Sequence, residues 1–201
     1  MIAALCAWVT AHGSSCLELI AALFGMIAVA LGIWQNVWTW PVGIVNVALT
    51  FVVFLRNGLY SDMGLQVVYF ALCIYGWQQW LHGGEGRTEL AVSRTSNRVW
   101  GILVVAGVAM WALLGTITSR LPGAVVPYFD AATTSTSLVA QYMTTRKLIE
   151  NWVIWILVDA VYVALFIWRG LFALAVLYAV YLLLAVFGYL AWKRTLAPAP
   201  A

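Results

Sequence analysis

Residues 151–162 read NWVIWILVDAVY, a stripe of polar and aromatic residues inside a segment that is otherwise apolar and as long as a membrane span. An α-helix turns by about 100° per residue, which places five of these side chains within an arc of roughly 100°. They are Asn151, Trp152, Trp155, Asp159 and Tyr162. The pattern predicts a membrane helix with one face built to hold a ligand.

The composition of the whole chain is that of a membrane protein. Of its 201 residues, 65% are hydrophobic and 8% are charged, whereas about a quarter of the residues in soluble proteins are charged. The net charge of +3 is small and the basic residues lie mostly at segment ends, so a nucleic-acid partner is not expected. The predicted fold class is an all-α integral membrane protein.

Seven apolar stretches approach the length of about 20 residues that an α-helix needs to cross the bilayer. They cover residues 17–36, 38–55, 63–81, 98–118, 124–145, 149–168 and 171–192. The hydrophilic connection 82–97 separates the first three from the other four. The predicted organisation is a short N-terminal segment (1–16), a three-helix bundle (17–81), a cytoplasmic loop (82–97), a connecting helix (98–118), a second three-helix bundle (124–192) and a tail (193–201).

The basic residues indicate the orientation, because cytoplasmic loops of membrane proteins are enriched in lysine and arginine. With the N-terminus outside, seven of the ten basic residues lie on the cytoplasmic side: Arg87, Arg94, Arg98, Arg146, Lys147, Lys193 and Arg194. The outer side keeps Arg56, Arg120 and Arg169. We therefore expect the C-terminus to be cytoplasmic.

An internal repeat appears when the chain is shifted by 112 residues. The shift superimposes Tyr69 on Tyr181, Gly76 on Gly188 and Trp80 on Trp192, with Gln66 on Tyr178. A shift of 113 residues superimposes Arg56 on Arg169 and Asn46 on Asp159, so a one-residue gap is expected between the two registers. Two triplets separated by one helix start on the same side of the membrane. This predicts a 3+1+3 arrangement of parallel repeats, which transporters use to place the substrate between the halves.

Polar side chains at membrane depth extend beyond residues 151–162. In the fifth segment, four of them lie within roughly 60° of one another by helical spacing: Asp130, Thr134, Ser137 and Gln141. The third segment has a stripe of Gln66, Tyr69, Cys73, Gly76, Trp77 and Trp80, and in the second segment Trp38 and Asn46 share a face. An intramembrane carboxylate costs about 2.5–3.5 kcal/mol on insertion scales, so these groups are expected to face a cavity or another helix.

Structural roles are the alternative for part of these residues. Thr134 and Ser137 also suit the close packing of helices, and Asp130 is near enough to a helix end to act as a cap. Tryptophans near a membrane boundary commonly form an interfacial belt. This alternative applies to Trp34, Trp38, Trp40, Trp152 and Trp155. Gln141 and Asp159 have larger polar groups that need partners at this depth, which favours a functional role.

The residue types indicate what such a site binds. Indole rings stack on flat rings and attract cations, and the side-chain amides of Asn151, Gln141 and Gln66 hydrogen-bond amide and hydroxyl groups. The combination suits a flat, polar heterocycle, neutral or cationic, that carries a sugar. No enzyme, cofactor or metal site is expected, because His12 and His82 lie in flanking segments and HExxH is absent. The three cysteines show neither zinc-site spacing nor a disulfide framework.

Three groups of residues resemble the PnuC family of vitamin transporters. They are the string from Arg146 to Trp152 followed by Trp155 and Asp159, the segment from Trp38 through Trp40-Pro41 to Asn46, and Gln66-x-x-Tyr69 with Tyr75-Gly76-Trp77. The likeness extends from about Leu17 to Arg194.

The resemblance implies a SWEET-like fold of seven transmembrane helices and uptake of nicotinamide riboside by facilitated diffusion across the bacterial inner membrane. It also implies a cytoplasmic kinase that phosphorylates and traps the vitamin, and assembly as a homotrimer. In this reading Trp152 and Trp155 sandwich or gate the pyridine ring, while Asn151 and Gln66 hydrogen-bond the carboxamide or ribose. The rest of the lining is Asp159, Tyr69, Tyr162, Thr134 and Gln141, with Asn46 as the repeat counterpart of Asp159.

Two alternatives stay open. The first is a carrier of thiamine or another vitamin on the same fold. Related subfamilies carry thiamine or riboflavin, and thiamine is also a flat cation that a tryptophan pair and an aspartate could hold. The two intramembrane acids, Asp130 and Asp159, motivate a proton-coupled transporter as a lower-ranked second alternative.

Overall fold

Residues 15–58, 60–120 and 126–196 are described by a computed structural model of the chain, and they form seven α-helices. The helices are α1 (Cys16–Ile33), α2 (Thr39–Arg56), α3 (Tyr60–His82), α4 (Asn97–Thr118), α5 (Pro127–Thr145), α6 (Asn151–Trp168) and α7 (Phe172–Thr195). A short 3-10 turn covers Glu85–Arg87. The all-helical prediction is confirmed, whereas the predicted N-terminal segment falls almost wholly outside the described residues.

Five of the described helices are long and apolar enough to cross a membrane: α1, α2, α4, α6 and α7. The other two, α3 and α5, contain the polar stripes expected from the sequence, which lower their mean hydropathy. The chain is therefore a multi-pass membrane protein, and membrane crossing by α3 and α5 stays a prediction.

The ends of the helices follow from local sequence. Ser15 and Ser96 cap α1 and α4, because their hydroxyl groups accept hydrogen bonds from backbone amides in the first turn. Pro127 occupies the first turn of α5, where its missing N–H leaves no broken helix bond. Gly58 and Gly170 follow α2 and α6 at φ values of 69° and 71°, a left-handed conformation that favours glycine.

The chain divides into two compact units, one up to Glu89 and the other from Leu90 onward. In the first unit, α2 packs against both α1 and α3. The buried indole of Trp40 lies against Gly76 of α3 and meets Trp80 edge-to-face, with 5.2 Å between ring centroids. Since glycine has no side chain, the ring can approach the α3 backbone closely.

The second unit repeats this packing. Here α6 packs against both α5 and α7, and α4 packs against α5. The buried indole of Trp152 lies against Gly188 of α7 and meets Trp192 edge-to-face at 5.4 Å. We call these two sets of residues the first and second Trp–Gly–Trp clusters.

The turns before α2 and α6 also repeat. Gln35 and Lys147 have φ values of 55° and 48°, and their amides donate to the carbonyl oxygen three residues back, at 3.0 and 3.1 Å. The next amides, of Asn36 and Leu148, donate five residues back, at 3.0 Å in each turn. This pair of bonds is the Schellman motif that ends many helices. A shift of 112 residues relates the two turns.

The one-residue gap expected between two repeat registers is wrong. The shift of 112 relates Thr39–Arg56 to Asn151–Trp168 over their full length and carries Gly58 onto Gly170. It follows that Asn46 is not the counterpart of Asp159. The residue of the first unit at that position is Val47, which is buried as Asp159 is.

Two further expectations need correction. The interfacial belt was considered for Trp34, Trp38 and Trp40 alike, but their burial differs. Trp34 and Trp38 are 75% and 62% exposed, as a belt requires, whereas Trp40 is 3% exposed and packs inside the unit. The expectation that the cysteines form no disulfide is wrong for Cys16, which is disulfide-bonded. Cys73 is a free, buried thiol.

Substitution of Gly188 by alanine is expected to destabilise the second unit. The added Cβ would lie 2.6 Å from the Trp152 ring, and overpacking of this kind costs about 1–3 kcal/mol. The control is Gly101→Ala in α4, where a Cβ meets nothing within 4 Å. Thermal unfolding of the detergent-purified variants should show a lower midpoint for Gly188→Ala alone, and equal midpoints would contradict the close approach.

Candidate functional site

Some residues of the α6 stripe have the same residue type at the equivalent position of the first unit, and others do not. Trp152 is 4% exposed and corresponds to Trp40, which is packed in the same way. Both indole N–H groups are buried without a hydrogen-bond partner among the described residues. Because the feature occurs in both units, it belongs to helix packing and is weak evidence that Trp152 donates to a ligand.

Trp155 has no aromatic counterpart. The corresponding residue in the first unit is Gly43, where a Cβ would lie 3.6 Å from the sulfur of Cys73. The indole of Trp155 is half-buried, and its Nε1 donates to Oγ1 of Thr144 at 3.4 Å. The ring is thus held by α5 and retains an accessible surface on which another ring can stack.

Asn151 is fully buried and its hydrogen bonds are internal. Its Nδ2 donates to the carbonyl oxygen of Leu148 at 2.6 Å, and its Oδ1 accepts from the hydroxyl of Thr144 at 3.2 Å. The same hydroxyl lies 2.9 Å from the carbonyl oxygen of Ala140. Thr144 therefore connects the start of α6, the end of α5 and the indole of Trp155.

Asp159 lies one turn beyond Trp155 on α6 and is 5% exposed. No lysine, arginine or histidine forms an ion pair with its carboxylate within the part of the chain that the structure describes. Tyr181 of α7 lies within electrostatic range of the carboxylate. A buried carboxylate is costly without a compensating cation, so this position favours a cationic ligand.

Aromatic rings continue this face of α6 toward the C-terminal end of the helix, after Asp159. Tyr162 stacks on Phe166 at 5.7 Å between centroids with an interplanar angle of 13°, and it contacts Tyr178 of α7 at 4.8 Å. Tyr178 also contacts Phe166 at 5.2 Å and Tyr181 at 6.0 Å. The predicted site residue Tyr162 is therefore part of a four-ring cluster between α6 and α7.

The polar residues of α5 differ in burial. Ser137 is buried, Thr134 and Gln141 are half-buried, and Asp130 is exposed near the start of the helix. By helical spacing, Thr134, Ser137 and Gln141 lie within roughly 80° of Thr144, the residue that contacts α6. These three can therefore extend the α6 stripe, whereas Asp130 is at the end of the helix.

The predicted residues of the first unit lie on two helices. Gln66 of α3 is buried, and Tyr69 is half-buried one turn later. Asn46 of α2 is committed to helix packing, because its Nδ2 donates to the carbonyl oxygen of Ala21 in α1 at 2.7 Å. The structure thus gives Asn46 a partner within its own unit.

Sequence reasoning missed Thr144, Tyr178 and Tyr181. The repeat held a signal for the two tyrosines, because the 112-residue shift places them on Gln66 and Tyr69, which were predicted. For Thr144 the counterpart is Gly32, which has no side chain, so the repeat offered no signal.

In the second unit, the described residues of α5, α6 and α7 provide a face with a buried carboxylate, an accessible indole and several hydroxyl groups. Such a surface can bind a flat cation through ring stacking, cation–π attraction and charge. Within the described residues, no cluster of histidine, cysteine and acidic side chains could hold a metal ion.

Residues 15–194 match the family model of the nicotinamide mononucleotide transporters. The chain belongs to this family. The PnuC membership predicted from the sequence motifs is confirmed, and the family and its relatives are transporters rather than enzymes.

Several known relatives are similar to the chain over most of its length. The nicotinamide riboside transporter PnuC of Escherichia coli K12 is 26% identical over 203 residues, which cover 89% of this chain and 85% of that protein. The riboflavin/roseoflavin transporter RibM of Streptomyces davaonensis is 28% identical, with coverages of 87% and 83%. A crystal structure of the vitamin B3 transporter PnuC superimposes with a TM-score of 0.72 at 25% identity, covering 97% of this chain and 88% of that one.

Replacement of Asp159 by valine is expected to stabilise the purified protein by roughly 1–3 kcal/mol, because it removes a buried polar group without an ionic partner. Valine suits the position, since Val47 occupies it in the first unit. Thermal unfolding in detergent measures the effect, with the exposed residue Asp62 mutated to asparagine as the control. A lower midpoint for Asp159→Val would show that the carboxylate supports the fold.

Proposed function

We propose that the protein transports nicotinamide riboside across the membrane by facilitated diffusion. The observation that supports this most directly is the buried carboxylate of Asp159, which has no ionic partner among the described residues and lies one helical turn from the accessible indole of Trp155. Nicotinamide riboside has a flat pyridinium cation, a carboxamide and a ribose. A carboxylate and an aromatic ring can bind the pyridinium cation, and hydrogen bonds can bind the carboxamide and the ribose.

The same face favours the riboside over the phosphorylated mononucleotide. A phosphate dianion needs arginine, lysine or a helix N-terminus. Helix α6 has no basic residue, and the basic residues of α7, Lys193 and Arg194, lie in its last turn. Phosphate near Asp159 would add repulsion between like charges.

We assign the binding roles by burial and partners. Trp155 stacks on the pyridinium ring, Asp159 neutralises its charge, and Tyr162 completes the aromatic surface. Trp152 and Asn151 hold the start of α6 in place. Of the two tryptophans expected to sandwich or gate the ring, we therefore assign the stacking role to Trp155 alone. Thr134 and Gln141 extend this face along α5. In the first unit, Gln66 and Tyr69 are the polar residues that we assign to substrate recognition. Asn46 is assigned a packing role within the first bundle.

The fold proposal is the 3+1+3 arrangement of SWEET-like parallel repeats. The equivalence of α1–α3 with α5–α7 supports it, and α4 then acts as the connecting helix. We further propose a bacterial inner-membrane location with the N-terminus outside and the C-terminus in the cytoplasm, and a homotrimer. The excess of basic residues on the predicted cytoplasmic side supports the orientation.

Facilitated diffusion requires a downstream sink, which we propose is a cytoplasmic kinase that phosphorylates the vitamin. The phosphorylated product would then be poorly accepted beside Asp159, because the phosphate and the carboxylate repel each other. Proton coupling is ranked lower, because Asp130 lies exposed at the start of α5 and leaves Asp159 as the sole buried acid among the described residues.

Riboflavin is the alternative that a specific observation favours, since RibM is among the relatives. Riboflavin is a neutral ring system, whereas thiamine and nicotinamide riboside are cations. A substrate without charge would not explain the buried carboxylate. Thiamine stays the alternative with matching charge.

Uptake of radiolabelled nicotinamide riboside into proteoliposomes tests the proposal. Without kinase or ion gradient, the wild type should equilibrate the vitamin across the membrane. Trp155→Ala should weaken binding by about 2- to 30-fold, the loss expected for a stacking or cation–π contact of about 0.5–2 kcal/mol. The matched control is Trp168→Ala on the same helix, where the indole is 79% exposed.

Competition identifies the substrate in the same assay. Unlabelled nicotinamide riboside should compete fully, thiamine weakly, and riboflavin and the mononucleotide not at all. Saturable uptake of thiamine or riboflavin with no response to nicotinamide riboside would overturn the proposal. Uptake that requires a proton gradient would overturn facilitated diffusion.

A further inference from the structure

A short extended segment before α4 is bound to the turn between α5 and α6. We call residues 92–95 the strap. The amide of Ser93 donates to the carbonyl oxygen of Lys147 at 3.1 Å, and the amide of Ile149 donates to the carbonyl oxygen of Ser93 at 3.0 Å. Val92 and Ile149, on either side of the bridge, are buried, with exposed fractions of 6% and 2%.

The side chain of Glu150 holds the end of the strap. Its Oε2 accepts two hydrogen bonds from Thr95, from the backbone amide at 2.9 Å and from the hydroxyl at 2.7 Å. Its Oε1 lies 3.9 Å from Arg94 Nη1. Thr95 is 9% exposed, so water competes poorly for these charge-assisted bonds, which are stronger than neutral ones. The contact joins residues 55 positions apart.

The first unit can be compared with the second, because it contains an equivalent turn. Its equivalent turn has the same backbone bonds, including Thr39 to Asn36 at 3.0 Å where the second unit has Asn151 to Leu148 at 3.0 Å. No β-bridge reaches that turn within the described residues. Among the described residues, the bridge to Ser93 is thus a feature of the second unit.

The two units differ in side chains on both sides of the turn. In the second unit Glu150 is followed by Asn151, which contacts Thr144, and Thr144 in turn accepts the indole N–H of Trp155. The first unit has different residues at these three positions. Asn151 corresponds to Thr39, Thr144 to Gly32 and Trp155 to Gly43. A chain of contacts thus leads from Thr95 through the first turn of α6 to Trp155.

We propose that Glu150 and Thr95 are positioning residues for the substrate ring. By fixing the first turn of α6 against the strap, they hold Asn151 and Thr144 in register and so set the orientation of the Trp155 indole. The assignment rests on the proposed function, in which Trp155 stacks on nicotinamide riboside. Stacking requires a fixed ring plane, so a loosened first turn reduces affinity before it unfolds the protein.

Thr95→Val and Thr95→Ser test the assignment as a matched pair. Valine has the same shape and loses the hydroxyl bond to Glu150, whereas serine keeps it. We expect the dissociation constant of nicotinamide riboside, titrated on detergent-purified protein, to rise on the order of tenfold for valine and to stay near the wild type for serine. Glu150→Ala should weaken binding at least as much, because it removes both bonds from Thr95. The double variant should lose no more than Glu150→Ala alone.

Hydrogen exchange of peptides that cover residues 143–156 tests the link between the strap and α6 independently of which substrate binds. Thr95→Val should speed exchange there, with the unfolding midpoint little changed. If valine lowers the midpoint but leaves the dissociation constant of the folded protein unchanged, the role is merely structural and the proposal is overturned.

A wild type that does not bind nicotinamide riboside would refute the proposed substrate instead. In that case faster exchange over residues 143–156 in Thr95→Val would still support the link from strap to α6, and unchanged exchange would overturn it.

Discussion

Edge-to-face packing of two tryptophans over a glycine is the contact on which each unit depends. The ring centroids lie 5.2 Å apart for Trp40 and Trp80, and 5.4 Å apart for Trp152 and Trp192. Aromatic pairs of this geometry contribute about 0.5–1.5 kcal/mol beyond the burial of their area. Glycine opposite the inner ring lets two helices approach closely, which small residues commonly do in membranes. The contact fixes the register between neighbouring helices and therefore the position of every side chain on the α6 face.

The repeat separates residues that build the fold from residues that serve the substrate. A feature found in both units is explained by packing. An example is the buried inner tryptophan, whose N–H has no hydrogen-bond partner among the described residues. A feature found once needs another reason. Trp155 stands where the first unit has Gly43, and Asp159 stands where it has Val47. Burial of a carboxylate opposes packing, and the half-buried indole of Trp155 keeps accessible surface beyond its contact with Thr144. These two positions therefore have the strongest claim to function.

Sequence patterns predicted the seven helices, the 112-residue repeat and the polar face of α6, because all three depend on local hydrophobicity and helical periodicity. They did not predict the buried position of Trp152, since a tryptophan near a helix start looks the same whether it packs or stacks. The single register was missed because Arg56 and Asn46 matched by chance at 113. Thr144 and the strap were missed because their partners are 7 and 55 residues away, and only the fold brings them together.

The most direct measurement of the central claim is an experimental structure of the protein with nicotinamide riboside bound. We predict that the pyridinium ring stacks on Trp155, within about 6 Å of its ring centroid, and that the carboxylate of Asp159 is the nearest anionic group to the ring. We also expect Trp152 to keep its contact with Gly188 and Trp192. A ligand bound away from α6, or inserted between Trp152 and Trp192, would contradict this binding mode.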